Sequence, residues 1–518
     1  MKRTHLFRIL AILLLVAALL AGCAAPAAPT EDSRSTEQSR TAEPAGSPPA
    51  APPEGGGGPG GEPPAPPPEG GGGPGGNPPA PPPEGGGGPG GNPPAPPPEG
   101  GGGPGGNPPG GSAAELNWRG AVEIRSAETQ SGRSYAADEA DESALLIAAD
   151  AAVEITNPTV TKTGDSAGGD SCSFYGLNAA VLAKDGAAVT VSGGTVTSDA
   201  EGANGLFCYG GNGGRNGAQG DGTTLTVRGT VVRTGGGGSG GLMTTGGGIS
   251  YAYDLDVETA GRSSAAIRTD RGGGQVWVEG GSFVTTGLGS PAIYCTAEIH
   301  VREATLSSRL SEGVCVEGKN SVELTDCALS AANTARNGNA CFLDSVMLYQ
   351  SMSGDADSGS SGFTMTGGSL SSRSGHVFHV TNTSAVITLS GVTIVNEDPA
   401  NVLLSVCDDG WSGAGNRAVL KALGQQLSGA VKVGDNSSLT LELDADSGFI
   451  GRIDGQIVNA KGETVSTQVG TVSVTLEEGA VWTLTGDSWI SEFHGDPAAV
   501  TANGFTLYVN GAALKGTR

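Results

Sequence analysis

Val189-Thr-Val-Ser-Gly-Gly-Thr-Val196 decides the fold. Two apolar residues alternate with polar ones, a glycine pair turns the chain, and a second alternating strand begins at once. Such alternation marks a strand with one buried face. The pattern recurs at 153–160, 225–232, 276–283, 299–306, 322–329, 363–370 and 387–394, with a degenerate copy ending at Val257. Its last apolar positions are 160, 196, 232, 257, 283, 306, 329, 370 and 394, so the spacings are 36, 36, 25, 26, 23, 23, 41 and 24 residues. The base period is 23 to 26, lengthened by insertions at 161–180, 208–222 and 343–362. A third short strand lies between copies, in Ala144-Leu-Leu-Ile, Ala180-Val-Leu, Gly205-Leu-Phe, Ala266-Ile-Arg, Ala292-Ile-Tyr, Gly313-Val-Cys and His376-Val-Phe. Each coil therefore carries three strands, A, B and C in chain order, with Val189 in an A strand and Val196 in a B strand.

Three short strands per coil have too little inward surface to build a core of their own. Stacking the coils at roughly 4.8 Å pairs each backbone with the coils above and below and sets like side chains in columns. The expected fold is all-β, a parallel β-helix over 113–400, continued by final coils and a cap over 401–518. A cap is needed because an open solenoid end is an exposed edge. A propeller blade would need a longer, four-strand period. Pattern and period resemble right-handed parallel β-helix proteins of the pectate-lyase-like type and the adhesin-like surface proteins of gut bacteria.

The N-terminus carries Lys2, Arg3 and Arg8, then an unbroken apolar run over 9–20, which suits a signal peptide and is too short to span a bilayer. It ends in Leu20-Ala-Gly-Cys23, which resembles the lipobox of bacterial lipoproteins. That resemblance implies a signal peptide over 1–22, a diacylated Cys23 and a chain anchored at the outer face of the cell membrane; two acyl chains suffice for stable anchoring. Residues 23–112 form a Pro/Gly-rich linker in which a fifteen-residue unit occurs four times between 47 and 106. Having no apolar residue larger than Ala or Pro in those repeats, it is expected to be an unfolded spacer.

The net charge of −25 and the absence of a basic patch argue against nucleic acid as a partner. Seven cysteines remain besides Cys23, an odd number without CxxC spacing, so neither a disulfide framework nor a metal site is indicated, and no motif calls for a cofactor.

Loops on a rigid solenoid are favoured binding positions. With Ile267, Ile293 and Val314 inward, Arg268, Tyr294 and Cys315 form one outward column of the C strands, and Asp270, Thr296 and Glu317 the next. Arg271 and Lys319 lie just beyond, Glu312 just before, and Lys162, Asp165 and Asp170 of the first insertion are expected to overhang the same sheet. Such a face suits a sugar acid, another glycan or a surface protein, and its carboxylates also suit the acid/base pair of a polysaccharide lyase or glycoside hydrolase. The motif order that the resemblance to polygalacturonases would require is missing: Ser374-Gly-His376 precedes Asp408-Asp409. A non-enzymatic, adhesin-like binding protein is therefore the leading expectation. A lyase or hydrolase with a non-standard site, or a structural envelope spacer, are the alternatives.

Overall fold

The computed structural model describes residues 116–518 apart from 167–168, 214–218, 338–339 and 412. The signal segment, Cys23 and the Pro/Gly linker lie outside the described residues. The A, B and C strands stack into three parallel sheets of 14, 10 and 15 strands, each strand pairing with its counterpart in the next coil. The chain is a parallel β-helix.

In-register pairing builds the core. The B strands align Tyr135, Val160, Val196, Val232, Val257, Phe283, Leu306, Leu329, Leu370 and Ile394 in one inward column. All but Ile394 are fully buried, and together with the inward residues of the other two sheets they form one continuous core. The degenerate coil puts Ser250 in the apolar slot between Leu225 and Val276, and its hydroxyl is satisfied by Thr244 at 2.6 Å.

The bend from A to B strand is made by one residue per coil in the left-handed conformation, or by two where the corner is a glycine pair. At Asn157, Asp254, Glu303 and Asp326, φ is 49°, 52°, 55° and 52°, and the other coils use glycine, as at Gly280 with φ 71°. The ladder runs unbroken through this corner: Asp254 N donates to Glu279 O, Gly280 N to Arg302 O and Glu303 N to Thr325 O, each at 2.9 Å. Asn and Asp tolerate this conformation, whereas a longer L side chain is strained there.

Beyond Asn396 the B-strand sheet ends while the other two continue. Residues 439–451 and 481–491 resemble each other in sequence but are not structurally equivalent: Leu439 pairs in the A sheet with Val472, whereas Val481 pairs in the C sheet with Gly448. Trp482 is buried and stacks on Phe449 at 5.5 Å, while Trp489 is exposed and stacks on Tyr508 in a small terminal sheet with one antiparallel pair. A further correction concerns the insertion at 343–362. It contains a C strand, Asp344–Tyr349, flanked by two separate loops. The repeat also has a C strand at Leu242–Thr245.

The corner makes a prediction of opposite sign at two neighbouring coils. Glu303→Gly should raise unfolding stability by about 0.5–1 kcal/mol by relieving a left-handed non-glycine residue. Gly280→Val should lower it by about 2 kcal/mol or more, since a Cβ there lies 2.3 Å from Asp254 Oδ1. Denaturant unfolding of the two variants checks both.

Candidate functional site

The C-strand face is charged, but it is not open. Met243, Arg268, Tyr294, Cys315, Met347, His379 and Ser405 stand in register in the expected outward column. All are buried. The inserted segments fold back over the sheet as a roof. Phe174 of a short helix, α1 (Ser171–Tyr175), lies over Arg271 at 4.1 Å; Phe342 stacks on His379 at 4.5 Å; Trp411 packs on Tyr349 at 5.7 Å.

Beneath this roof the charges answer one another. Arg268 Nη2 donates to Asp270 Oδ2 at 2.6 Å, with both side chains 3% exposed. Burial lifts the Asp270 carboxyl above its ordinary value against the pull of Arg268. Glu317 accepts from Tyr294 Oη at 2.7 Å, from Tyr349 Oη at 3.0 Å and from Ser351 Oγ, while burial holds its carboxyl above the usual range. Arg271 binds Asp355 at 2.5 Å. Asp170, exposed in the first insertion, precedes α1, whose Phe174 packs on Arg271; partial burial and then Asp355 raise its carboxyl against the pull of Arg271 and Arg268.

Lys162 and Asp165 bond outside this cluster. The Lys162 ammonium is buried and donates to Glu139 O at 2.8 Å and Gly164 O at 2.6 Å, and Asp165 accepts from Glu201 N at 2.9 Å. Lys319 stays exposed and pairs with Asp357 at 2.9 Å. The expectation of a solvent-facing C sheet is thus corrected: long insertions carrying their own aromatics bury it, and its charges tie the roof down.

Two further groups lie under the roof. Glu312 and Asp344 stand side by side, buried, with Asn333 Nδ2 donating at 3.2 Å to Glu312 Oε1 and to Asp344 O. Asp344 Oδ1 has no hydrogen-bond partner among the described residues. Burial, then the neighbouring Glu312 and Asp409, push its carboxyl well above the ordinary value. Ser405 Oγ lies 2.7 Å from His376 Nδ1 and 2.8 Å from His379 Nδ1, and His379 Nε2 is 3.7 Å from Asp409 Oδ2. These residue types could activate a serine, but Ser405 and His379 are 0% exposed and Phe342 closes the approach. Burial also drives His376 down to about 3, leaving it neutral.

The open site is on the A-strand sheet, where sequence reasoning did not look. Its outward column reads Thr190, Thr226, Tyr251, Trp277, His300, Glu323, Thr364 and Thr388 over successive coils. A run of threonines is interrupted by three rings. The neighbouring column supplies Arg228, Tyr253, Glu279, Arg302 and Thr325. Between the two columns runs a groove of about 380 Å³, lined by Tyr251, Trp277 and His300 on one wall and Tyr253, Glu279 and Arg302 on the other, with Glu323 at one end.

Trp277 is 40% exposed and stacks on His300 with centroids 3.9 Å apart and planes 7° apart. The rings therefore lie face to face along the coil axis. One indole face is turned toward the Tyr251 coil, and the ring edges are turned sideways. His300 is fixed by Glu298 at 2.8 Å on Nε2 and by Glu323 at 3.0 Å on Nδ1. Arg302 pairs with Glu279 at 2.5 Å, and Arg228 lies over the Tyr253 ring at 3.8 Å. The signal was present in Val276-Trp-Val278: a tryptophan in the outward slot that most coils give to Thr, Glu or Ser. Rigid rings beside oriented carboxylates and a guanidinium can hold a ligand that offers an apolar face and hydroxyl or amino donors.

No family model, curated protein or solved structure matches this chain.

Two predictions concern the roof. Asp270→Ala leaves Arg268 buried without its partner and should cost about 3–5 kcal/mol; the double change of Arg268→Met with Asp270→Ala should recover much of that loss in denaturant unfolding. For Asp344 the sign follows from its raised carboxyl. Above the unfolded-state value the folded chain binds more protons, so stability is lost as pH rises. Asp344→Asn should match the unsubstituted protein in thermal unfolding at about pH 4 and exceed it increasingly toward pH 8.

Proposed function

We propose that this chain is a lipid-anchored surface lipoprotein of adhesin-like type, whose β-helix binds glycan in the groove of the A-strand sheet. Cys23 is the anchor, the Pro/Gly linker the spacer, and the solenoid the rigid part that presents the groove. The observation that carries the reading is the Tyr251–Trp277–His300 run, with Trp277 exposed, in a column where most other coils carry Thr, Glu or Lys. An exposed tryptophan stacked on a histidine contributes little to the core. It is suited to pack against the C–H face of a sugar ring, with Glu279, Glu323 and Arg302 placed for its hydroxyls.

The groove crosses four coils, roughly 14 Å along the axis, which suits an extended chain of sugar rings better than a single monosaccharide. On a glycan array the full mature chain should bind extended oligosaccharides, and Trp277→Ala should weaken binding by roughly tenfold or more, as removal of a central aromatic contact does. Unchanged binding by Trp277→Ala with unchanged unfolding would remove the groove from the account. Separately, Cys23→Ser should release the protein from membranes into the medium.

A further inference from the structure

We infer that the groove selects saccharide chains bearing free amino groups over uronic-acid chains. The inference rests on the groove being the glycan site and adds the charge of the ligand. Among the lining residues the carboxylates are Glu279 and Glu323, and the guanidinium is that of Arg302. Arg302 is already held by Glu279 at 2.5 Å. Arg228, in the same outward column as Arg302, lies over the Tyr253 ring. An incoming carboxylate therefore finds each of these cations engaged, and would meet the Glu323 oxygen that His300 does not hold.

An ammonium group meets the opposite conditions. Glu323 lines the groove and turns Oε2 to His300, which leaves its Oε1 for a ligand, while Glu298, behind the same ring, is held by His300 and Gln275. The rings of Tyr251 and Trp277 offer π faces that attract a cation, as Tyr253 already does for Arg228. The chain as a whole carries −25, a field that repels polyanions and draws polycations. A sugar whose ring packs on Trp277 while its amine reaches Glu323 would satisfy the aromatic wall and the acidic end together.

The test compares three polysaccharide probes on the full mature chain at low and moderate salt: partly de-N-acetylated glucosamine polymer, the same polymer fully N-acetylated, and polygalacturonate. Polylysine serves as a fourth probe. The amine-bearing polymer should bind most tightly. Glu323→Gln and Glu323→Ala, at an exposed side chain, should each weaken it by roughly tenfold, the loss expected for one charge-assisted contact. Binding of the acetylated polymer should fall by less, so that the ratio between the two affinities narrows. Trp277→Ala should weaken both glucosamine polymers. Equal or tighter binding of the acetylated polymer would overturn the amine preference while leaving the glycan reading intact, provided Trp277→Ala still weakens it. Preference for polygalacturonate would overturn the inference. Polylysine binding that matches the aminosugar polymer and is indifferent to Trp277→Ala would overturn it in favour of a basic peptide. No binding of any saccharide would remove the glycan reading and this inference together.

Discussion

Everything in this molecule depends on parallel coils pairing in register. A parallel ladder leaves each strand's hydrogen bonds to be met by the coils on either side, and a slip by one residue would turn every inward side chain outward. Register is therefore held at three places in each coil, by the ladder, by the apolar columns and by the left-handed corner. At that corner the backbone bond of Gly280 to Arg302 O, and its equivalents, carry the ladder round the bend. Where the corner residue is Glu303, a strained backbone is accepted so that the turn keeps its place.

Fixed register also sorts the outward side chains into columns, and the outward faces of the A and C sheets use their columns in opposite ways. On the C-strand face Arg268, Asp270, Glu317 and Arg271 each find a partner under the roof, so charge there orders loops. Burying ions is costly unless each is paired and hydrogen-bonded, which explains why the roof supplies Asp355 and Ser351 and the next C strand supplies Tyr349. On the A-strand face no insertion among the described residues folds over the Tyr251–Trp277–His300 run, which lines an open groove. The rings and carboxylates that line the groove are held by their coil neighbours, Trp277 by His300 and His300 by Glu298 and Glu323. That rigidity lowers the entropy lost when a ligand is held.

The repeat was legible because its signal is covalent spacing. Val160, Val196, Val232, Val257, Phe283, Leu306, Leu329, Leu370 and Ile394 could be aligned by counting, and they stack in that order. The columns Arg268–Tyr294–Cys315 were legible for the same reason. Their burial was not, because it depends on where Phe174, Phe342 and Trp411 land when long insertions fold back, and no periodicity governs that. The strand Asp344–Tyr349 was hidden within an apparent insertion, since loops on both sides broke the count. The groove was readable in principle. Trp277 occupies a polar slot in a quoted repeat, but a composition of 4% aromatics drew attention away from where those few rings stand.

Hydroxyl-radical footprinting of the full chain, read by mass spectrometry at single residues, tests the assignment of the two faces most directly. Trp277, Tyr251 and His300 should be oxidised readily, whereas Tyr294, Cys315, Met347, Tyr349 and Trp411 should be protected until the protein unfolds. Rapid oxidation of Met347 and Cys315 in the folded protein, with Trp277 protected, would contradict the account.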